Sequence, residues 1–254
     1  MFRPRIIPVL LLQDEALVKS IGFKKHKYIG DPINAVRIFN DLRADELVFL
    51  DIEASKKNRL ISLDFVKDVG EEARMPFAVG GGIKTIEDIR SIISAGAEKV
   101  IINTAAIQNP NLIREAADYF GSSTIVVCID VKKKLFKGNL VWCLNGSKSS
   151  GISPVDFAQQ MEKLGAGEII VQSIEQDGMM EGYDIELIRS ISEAVSIPVI
   201  ALGGAGNTSD LEKAHNKGFA SAVAAGSMFV YQGTKRGVLI NYPETNDIHF
   251  NTLN

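Results

Sequence analysis

Short apolar runs alternate along this chain with stretches in which apolar residues recur every three or four positions. The runs are IIPVLLL (6–12), LVFLDI (47–52), FAVGGG (77–82), KVIINT (99–104), TIVVCID (124–130), EIIVQSI (168–174), VIALGG (199–204) and SAVAAG (221–226). They are continuously apolar rather than alternating, as strands covered on both faces are. Segments such as TIEDIRSIISAG (85–96) and DIELIRSISEAV (184–195) carry the helical period, with N-cap candidates in front and, in several cases, Gly near the end. Eight strands with helices between them predict an α/β fold, a single parallel (β/α)8 TIM barrel. The segment KKKLFKGNLVWCLNGSK (132–148) breaks this rhythm and reads as a small hairpin inserted after the fifth strand. Residues 1–242 are therefore expected to form the barrel, and 243–254 a polar, peripheral tail.

The pattern also repeats. MPFAVGGGIKTIEDIRSIISAGAEKVIINTAA (75–106) is similar to IPVIALGGAGNTSDLEKAHNKGFASAVAAGSM (197–228). A shift of 122 residues puts Pro76 on Pro198, Gly81 and Gly82 on Gly203 and Gly204, and Gly96 on Gly218. Ile52-Glu53 falls likewise on Ile174-Glu175. Four βα units repeated once predict a barrel made of two similar halves.

Composition narrows the picture only slightly. With 46% apolar and 23% charged residues among 254, a sizeable core is available and disorder is not expected. A net charge of −3 gives no reason to expect nucleic acid or an anionic membrane. Cys128 and Cys143 sit beside apolar neighbours and suggest a reducing compartment without disulfides. The start, MFRPRIIPVLLL, has a superficial likeness to a signal peptide, but Pro8 interrupts it and Gln13-Asp14-Glu15 ends it, so it reads as a strand. No apolar stretch approaches the ~20 residues that span a bilayer. The expectation is a soluble cytoplasmic protein.

Loops after the C-terminal ends of barrel strands carry the chemistry of this architecture. There the chain offers two matched glycine clusters, Gly80-Gly81-Gly82 and Gly203-Gly204. Glycine lets backbone N–H groups approach an anion, and a helix N-terminus favours negative charge. Asn103-Thr104 and Gly226-Ser227 end the neighbouring strands and add donors. Two equivalent phosphate sites would suit a ligand phosphorylated at both ends; the alternative is that these glycines only make tight turns. Asp51 and Asp130 close the second and fifth strands, where an unpaired carboxylate is costly. Asp130 is a candidate general acid/base and Asp51 an orienting group, against the simpler reading that each caps the next turn. Asp177-Gly178, after the sixth strand, binds substrate or makes a turn. At the opposite strand ends stand Arg5, Glu46, Lys99 and Glu168, two of each sign. They converge on the N-terminal mouth and offset one another, as a plug of ion pairs would. His26, His215 and His249 lack metal-ligand spacing, so neither metal nor cofactor is assigned. No Cys–His or Ser–His pattern points to covalent catalysis.

With these residues in place, the chain resembles the cyclase subunit of imidazole glycerol phosphate synthase from Arg5 to about Phe229. RIIP (5–8), GDP (30–32), DELVFLDI (45–52), VGGGI (79–83), INTAA (102–106), GAGEI (165–169), DG..EGYD (177–184) and GGAG (203–206) carry the resemblance. It implies a glutaminase partner whose ammonia travels through the barrel to a bisphosphorylated ribulosyl-aminoimidazole carboxamide. It further implies that Arg5, Glu46, Lys99 and Glu168 form the charged ammonia gate on the docking face. Lys19 matches a substrate-binding lysine on a mobile loop after the first strand, and Asp130 matches one of two catalytic aspartates. The other aspartate position is Leu11, and leucine can neither accept nor donate a proton. The family's serine after the eighth strand corresponds to Gly226.

The loss at Leu11, with RPRIIPVLLL at the start and VLINYP (238–243) near the end, resembles a divergent branch associated with amidation of bacterial surface sugars. That resemblance implies a barrel and glutaminase that feed ammonia to a separate sugar amidotransferase. The sequence reading favours this branch. The histidine-pathway cyclase-lyase is the alternative, and a non-catalytic scaffold whose glycines bind no phosphate is a third.

Overall fold

The computed structural model describes residues 3–233, 235–244 and 248–251. Its centre is a closed ring of eight parallel strands: Arg5–Gln13, Leu47–Asp51, Phe77–Gly80, Lys99–Ile102, Ile125–Lys134, Glu168–Ser173, Val199–Leu202 and Ala222–Ala225. Each pairs with its neighbours, and the first closes on the eighth through Arg5–Ala222 to Pro8–Ala225. Among the described residues eight α-helices surround it, and the molecule is the expected (β/α)8 barrel of two similar halves.

The continuous apolar runs now have a physical cause. Along the first strand Ile7, Val9 and Leu11 point into the lumen, while Ile6, Leu10 and Leu12 pack against the helices. Both faces exclude water, so both must be apolar. The helices bury one stripe each and are closed by local caps. Thr85 and Asp88 form a reciprocal capping box at the start of Ile86–Ser94, and Asn207 accepts from the Asp210 amide ahead of Thr208–Asn216.

Two of the connections after barrel strands depart from the sequence expectation, the first and the last. The segment after the first strand is not a loop: Leu11–Gln13 pair antiparallel with Ala16–Val18, and Ala16–Ile21 pairs in turn with Lys24–Gly30. Asp14 and Glu15 both take positive φ, 48° and 63°, as a two-residue hairpin turn requires, but without the glycine that would have announced it. After the fifth strand Asp130–Lys134 runs antiparallel to Gly138–Trp142, and Lys148–Ser149 is added at the edge. The eighth strand is followed by a single 3-10 turn, Ser227–Phe229, and no α-helix follows it among the described residues.

Extended chain takes the place of that last helix. Leu239 and Asn241 donate backbone bonds to Val230 and Phe229, and the Tyr242 ring lies 5.6 Å from that of Phe229. The Tyr242 hydroxyl donates to the Ile6 carbonyl at 2.8 Å and accepts from the Asp45 amide at 3.2 Å. Nor is the described part of the tail peripheral. Ile248 is 7% exposed, Phe250 stacks edge-on against His215, and the Asn251 amide donates to Asn216 Oδ1. Alternating Ile248 and Phe250 bury one side of an otherwise polar segment, which composition alone hides.

Because Tyr242 bonds two backbone groups at the base of the first two strands, Tyr242→Phe is expected to lower stability by about 1–2 kcal/mol. Urea unfolding checks this, and an unchanged midpoint would show that the C-terminal segment merely lies on the barrel.

Candidate functional site

Strand geometry sends every second side chain into the lumen, so each charged base residue has an apical partner on its own strand. From Arg5 the count by two reaches Leu11; from Lys99 it reaches Asn103, and from Glu168, Gln172. From the inward Val126 it passes Cys128 to Asp130, which stands in register with Gln172. The barrel thus has a charged floor and a mixed mouth, separated by apolar layers containing Ala78, Ile101, Ile170, Ile200, Ala222 and Ala224.

The floor is a closed ring of ion pairs. Arg5 bonds Glu46 and also Glu168, the latter at 2.6 Å; Lys99 lies 3.1 Å from Glu168 and 3.3 Å from Glu46. Each cation touches both anions and each anion both cations. Glu46 is the deepest of the four, with its side chain 4% exposed. Burial alone would lower the Arg5 pKa, and the Glu46 and Glu168 carboxylates outweigh it, leaving the guanidinium pKa raised. The four residues singled out in the sequence therefore do meet, as a neutral cluster across the narrow end.

At the mouth two cavities lie side by side, sharing Leu11, Ser20 and Gln172. The larger, about 280 Å³, is lined by Asp51, Gly81, Gly82, Asn103, Thr104 and Asp130. The smaller, about 30 Å³, is lined by Lys19, Asp177, Gly178, Gly203, Gly204, Gly226 and Ser227. Every mouth residue singled out in the sequence lines one or the other, and the 122-residue repeat divides its glycines between the two halves.

The glycines have a packing reason of their own. A Cβ on Gly82 would come within 1.8 Å of the Arg59 carbonyl, and one on Gly204 within 2.1 Å of the Gly182 carbonyl, with φ at +73° and +114°. The two halves thus need glycine at equivalent points whatever binds there. Gly226 also has a local role. A Cβ on it would lie 2.6 Å from Lys19 Nζ, so its missing side chain leaves room for that ammonium.

Asp51 is engaged locally: its Oδ1 accepts from the Glu53 and Ala54 amides, and its Oδ2 pairs with Arg59. It holds the second loop in place, the turn-capping alternative of the sequence reading. Asp177 also serves its loop, accepting from the Ser20 hydroxyl at 2.6 Å and the Phe23 amide at 3.2 Å. Lys19, on a strand rather than a free loop, is 4% exposed and donates to the Val9 carbonyl at 2.6 Å. Burial lowers its pKa to about 8 against the pull of Asp177.

Asp130 has few partners. It is buried, and its one side-chain hydrogen bond among the described residues comes from Cys128 Sγ, 3.5 Å from Oδ1. Burial raises its pKa to about 7, opposed by that bond and assisted by the Asp177 charge. Leu11 contributes only carbon to the cavity that Asp130 lines. Arg59, Ser20, Gln172 and Cys128 were not anticipated as site residues. For Gln172 and Cys128 the count by two along the strand was the available signal. For Arg59 and Ser20 no local signal existed.

The chain is similar to known proteins along most of its length. The sequence model of the family described as "Histidine biosynthesis protein" matches residues 5–235. A Pseudomonas aeruginosa protein named "Putative imidazole glycerol phosphate synthase subunit hisF2" is 48% identical over 248 residues, 98% of this chain and 99% of its own length. One from Leptospira interrogans, named "Putative imidazole glycerol phosphate synthase subunit HisF", is 46% identical over 248 residues, 97% and 98% of the two chains. One from Alkaliphilus metalliredigens, named "Imidazole glycerol phosphate synthase subunit HisF", is 46% identical over 231 residues, 91% and 92% of the two. A barrel with this floor and this mouth, matched along nearly its whole length, belongs to the histidine biosynthesis protein family, among its HisF-like cyclase subunits.

Proposed function

We propose that this chain is the ammonia-accepting subunit of a glutamine-dependent synthase of the imidazole glycerol phosphate type. A glutaminase docks at the N-terminal barrel face, where Arg5, Glu46, Lys99 and Glu168 close the lumen. The observation that carries this reading is the neutral ring leading into an apolar interior that ends at Asp130. Ammonia can cross such an interior; ammonium would have to shed its hydration without a partner. At the mouth, Gly81, Gly82, Asn103 and Thr104 take one phosphate of a bisphosphorylated ligand. Lys19, Gly203, Gly204, Gly226 and Ser227 take the other, flanked by Asp177 and Gly178. Asp51 holds the adjoining loop after the second strand through Arg59 and the Glu53 and Ala54 amides.

The names borne by the relatives support the histidine-pathway cyclase-lyase more than sugar amidation. In this reading Asp130 works alone. A carboxyl with a pKa of about 7 is near the optimum for both giving and taking a proton at neutral pH, so one group can serve successive steps. The missing second carboxylate costs about 10²–10⁴-fold in rate. Leu11 favours a second reading, in which the barrel only conducts ammonia and an amidotransferase partner installs it on a sugar.

The two readings separate in one assay. With saturating ammonia and the bisphosphorylated substrate, a cyclase makes imidazole glycerol phosphate slowly, and Leu11→Asp accelerates it at least ~10-fold. No product from either protein would overturn the cyclase reading and leave ammonia delivery to another acceptor.

Asp130 also makes a stability prediction. The folded chain keeps its proton up to about pH 7, whereas an ordinary aspartate releases it near 3.8. Between those values the folded state holds the extra proton, so stability falls as pH rises through the window. Asp130→Asn removes that slope. Its urea midpoint should gain on the wild type between pH 5 and 8, and parallel curves would show that Asp130 is not buried as a lone acid.

A further inference from the structure

We propose that the barrel mouth carries a surface for an anionic lipid bilayer, with the hairpin tip Leu135–Phe136 seated among the headgroups and lysines around it. The net charge of −3 conceals a strong asymmetry. Residues 16–30 and 131–153, the parts of the two antiparallel mouth ribbons that follow Glu15 and Asp130, hold nine of the chain's 28 Lys and Arg and none of its 31 Asp and Glu. The charge therefore divides into +9 on these 38 residues and −12 on the remaining 216. Lys24, Lys25, Lys27, Lys133, Lys134 and Lys137 are all exposed. Both ribbons wall the same cavity, through Ser20, Phe23 and His26 on one and Leu144 and Asn145 on the other, and the Phe23 ring packs over Gly146. They therefore present their charge on one side of the molecule.

Steering of a phosphorylated ligand would account for lysines at the mouth. It does not account for the tip. Phe136 is 97% exposed and Leu135 78%, with Tyr28 on the other ribbon 65% exposed. Phe136 also holds φ at +61°, a conformation that glycine or asparagine would take more easily. The fold thus gains no burial from this ring and accepts an unfavourable backbone to display it. A convex tip of two bulky apolar residues bracketed by lysines matches a bilayer interface, where rings enter the headgroup region and ammonium groups meet anionic lipid. A protein partner would need a pocket for the same tip.

This inference does not depend on which reaction the barrel performs. It is tested by sedimenting the purified chain with vesicles of phosphatidylcholine alone and of phosphatidylcholine with phosphatidylglycerol. Binding is expected to the anionic vesicles, weakening as salt rises, and at least ~10-fold weaker to the neutral ones. Leu135→Ser with Phe136→Ser should lose most of it with the circular dichroism spectrum unchanged, since neither side chain is packed. Each of Lys133→Gln, Lys134→Gln and Lys137→Gln should cost roughly fivefold. Absence of binding at low salt would overturn the proposal. So would binding that survives the tip double variant, because that face would then recognise charge alone and serve an acidic protein equally well.

Discussion

The exclusion of water from the barrel lumen is the constraint on which the rest depends. Between Ile7 and Leu11 on the first strand, and at the same heights on its neighbours, the inward side chains are carbon or a single thiol. A charge beside that space has lost most of its hydration and must find partners or change its protonation. The floor answers with partners: two cations and two anions, each touching both opposites, so that no single charge faces the apolar layers unpaired. The mouth answers with protonation. Asp130 is pushed up to about 7 and Lys19 down to about 8, both with burial as the leading cause. Floor and mouth obey one rule and differ only in the number of available partners.

That rule also explains which parts of the molecule could be read from the sequence. Residues that serve the lumen are periodic, and periodicity survives in sequence. The eight runs gave the strands, and the four charges before them gave the floor, because a charge adjoining an apolar run has few places to go. The mouth residues were found by their position at strand ends. What could not be read lies where contacts join distant segments without a period. Arg59 holds Asp51 across a loop, and the Tyr242 hydroxyl reaches back to Ile6 and Asp45 from the far end of the chain. The ribbon after the first strand was missed because Asp14 and Glu15 make its turn in place of glycine. The eighth strand shows the converse: its pattern in a (β/α)8 barrel implies a helix after it, but none follows among the described residues, and Phe229, Tyr242 and Ile248 cover that side with extended chain instead.

The repeated glycines show how a correct pattern can rest on two causes at once. Gly82 and Gly204 are demanded by the approach of a backbone carbonyl from the preceding loop, in each half alike. Their recurrence is sufficient evidence of a duplicated architecture and insufficient evidence of two phosphates. The case for anion binding rests instead on what lies beside them: Asn103 and Thr104 in the large cavity, and in the small one Lys19, whose ammonium occupies space left by Gly226.

Leu11 changes the kind of chemistry the mouth can do as well as its rate. Two carboxyls facing one cavity titrate as a coupled pair, one held ionised and the other protonated by the first. With leucine in one place, Asp130 has no such neighbour on the first strand. Its proton affinity is set chiefly by burial, with the more distant Asp177 adding to it. A coupled pair keeps an acid and a base ready together; a lone carboxyl near pH 7 can be either, but only one at a time. Steps that need simultaneous donation and acceptance suffer, whereas capture of a neutral nucleophile followed by a single proton transfer does not. The lumen therefore imposes the same requirement on both readings of function, an uncharged nitrogen arriving beside one protonatable group. They diverge only in whether the electrophile waiting there is held by this barrel or by a partner.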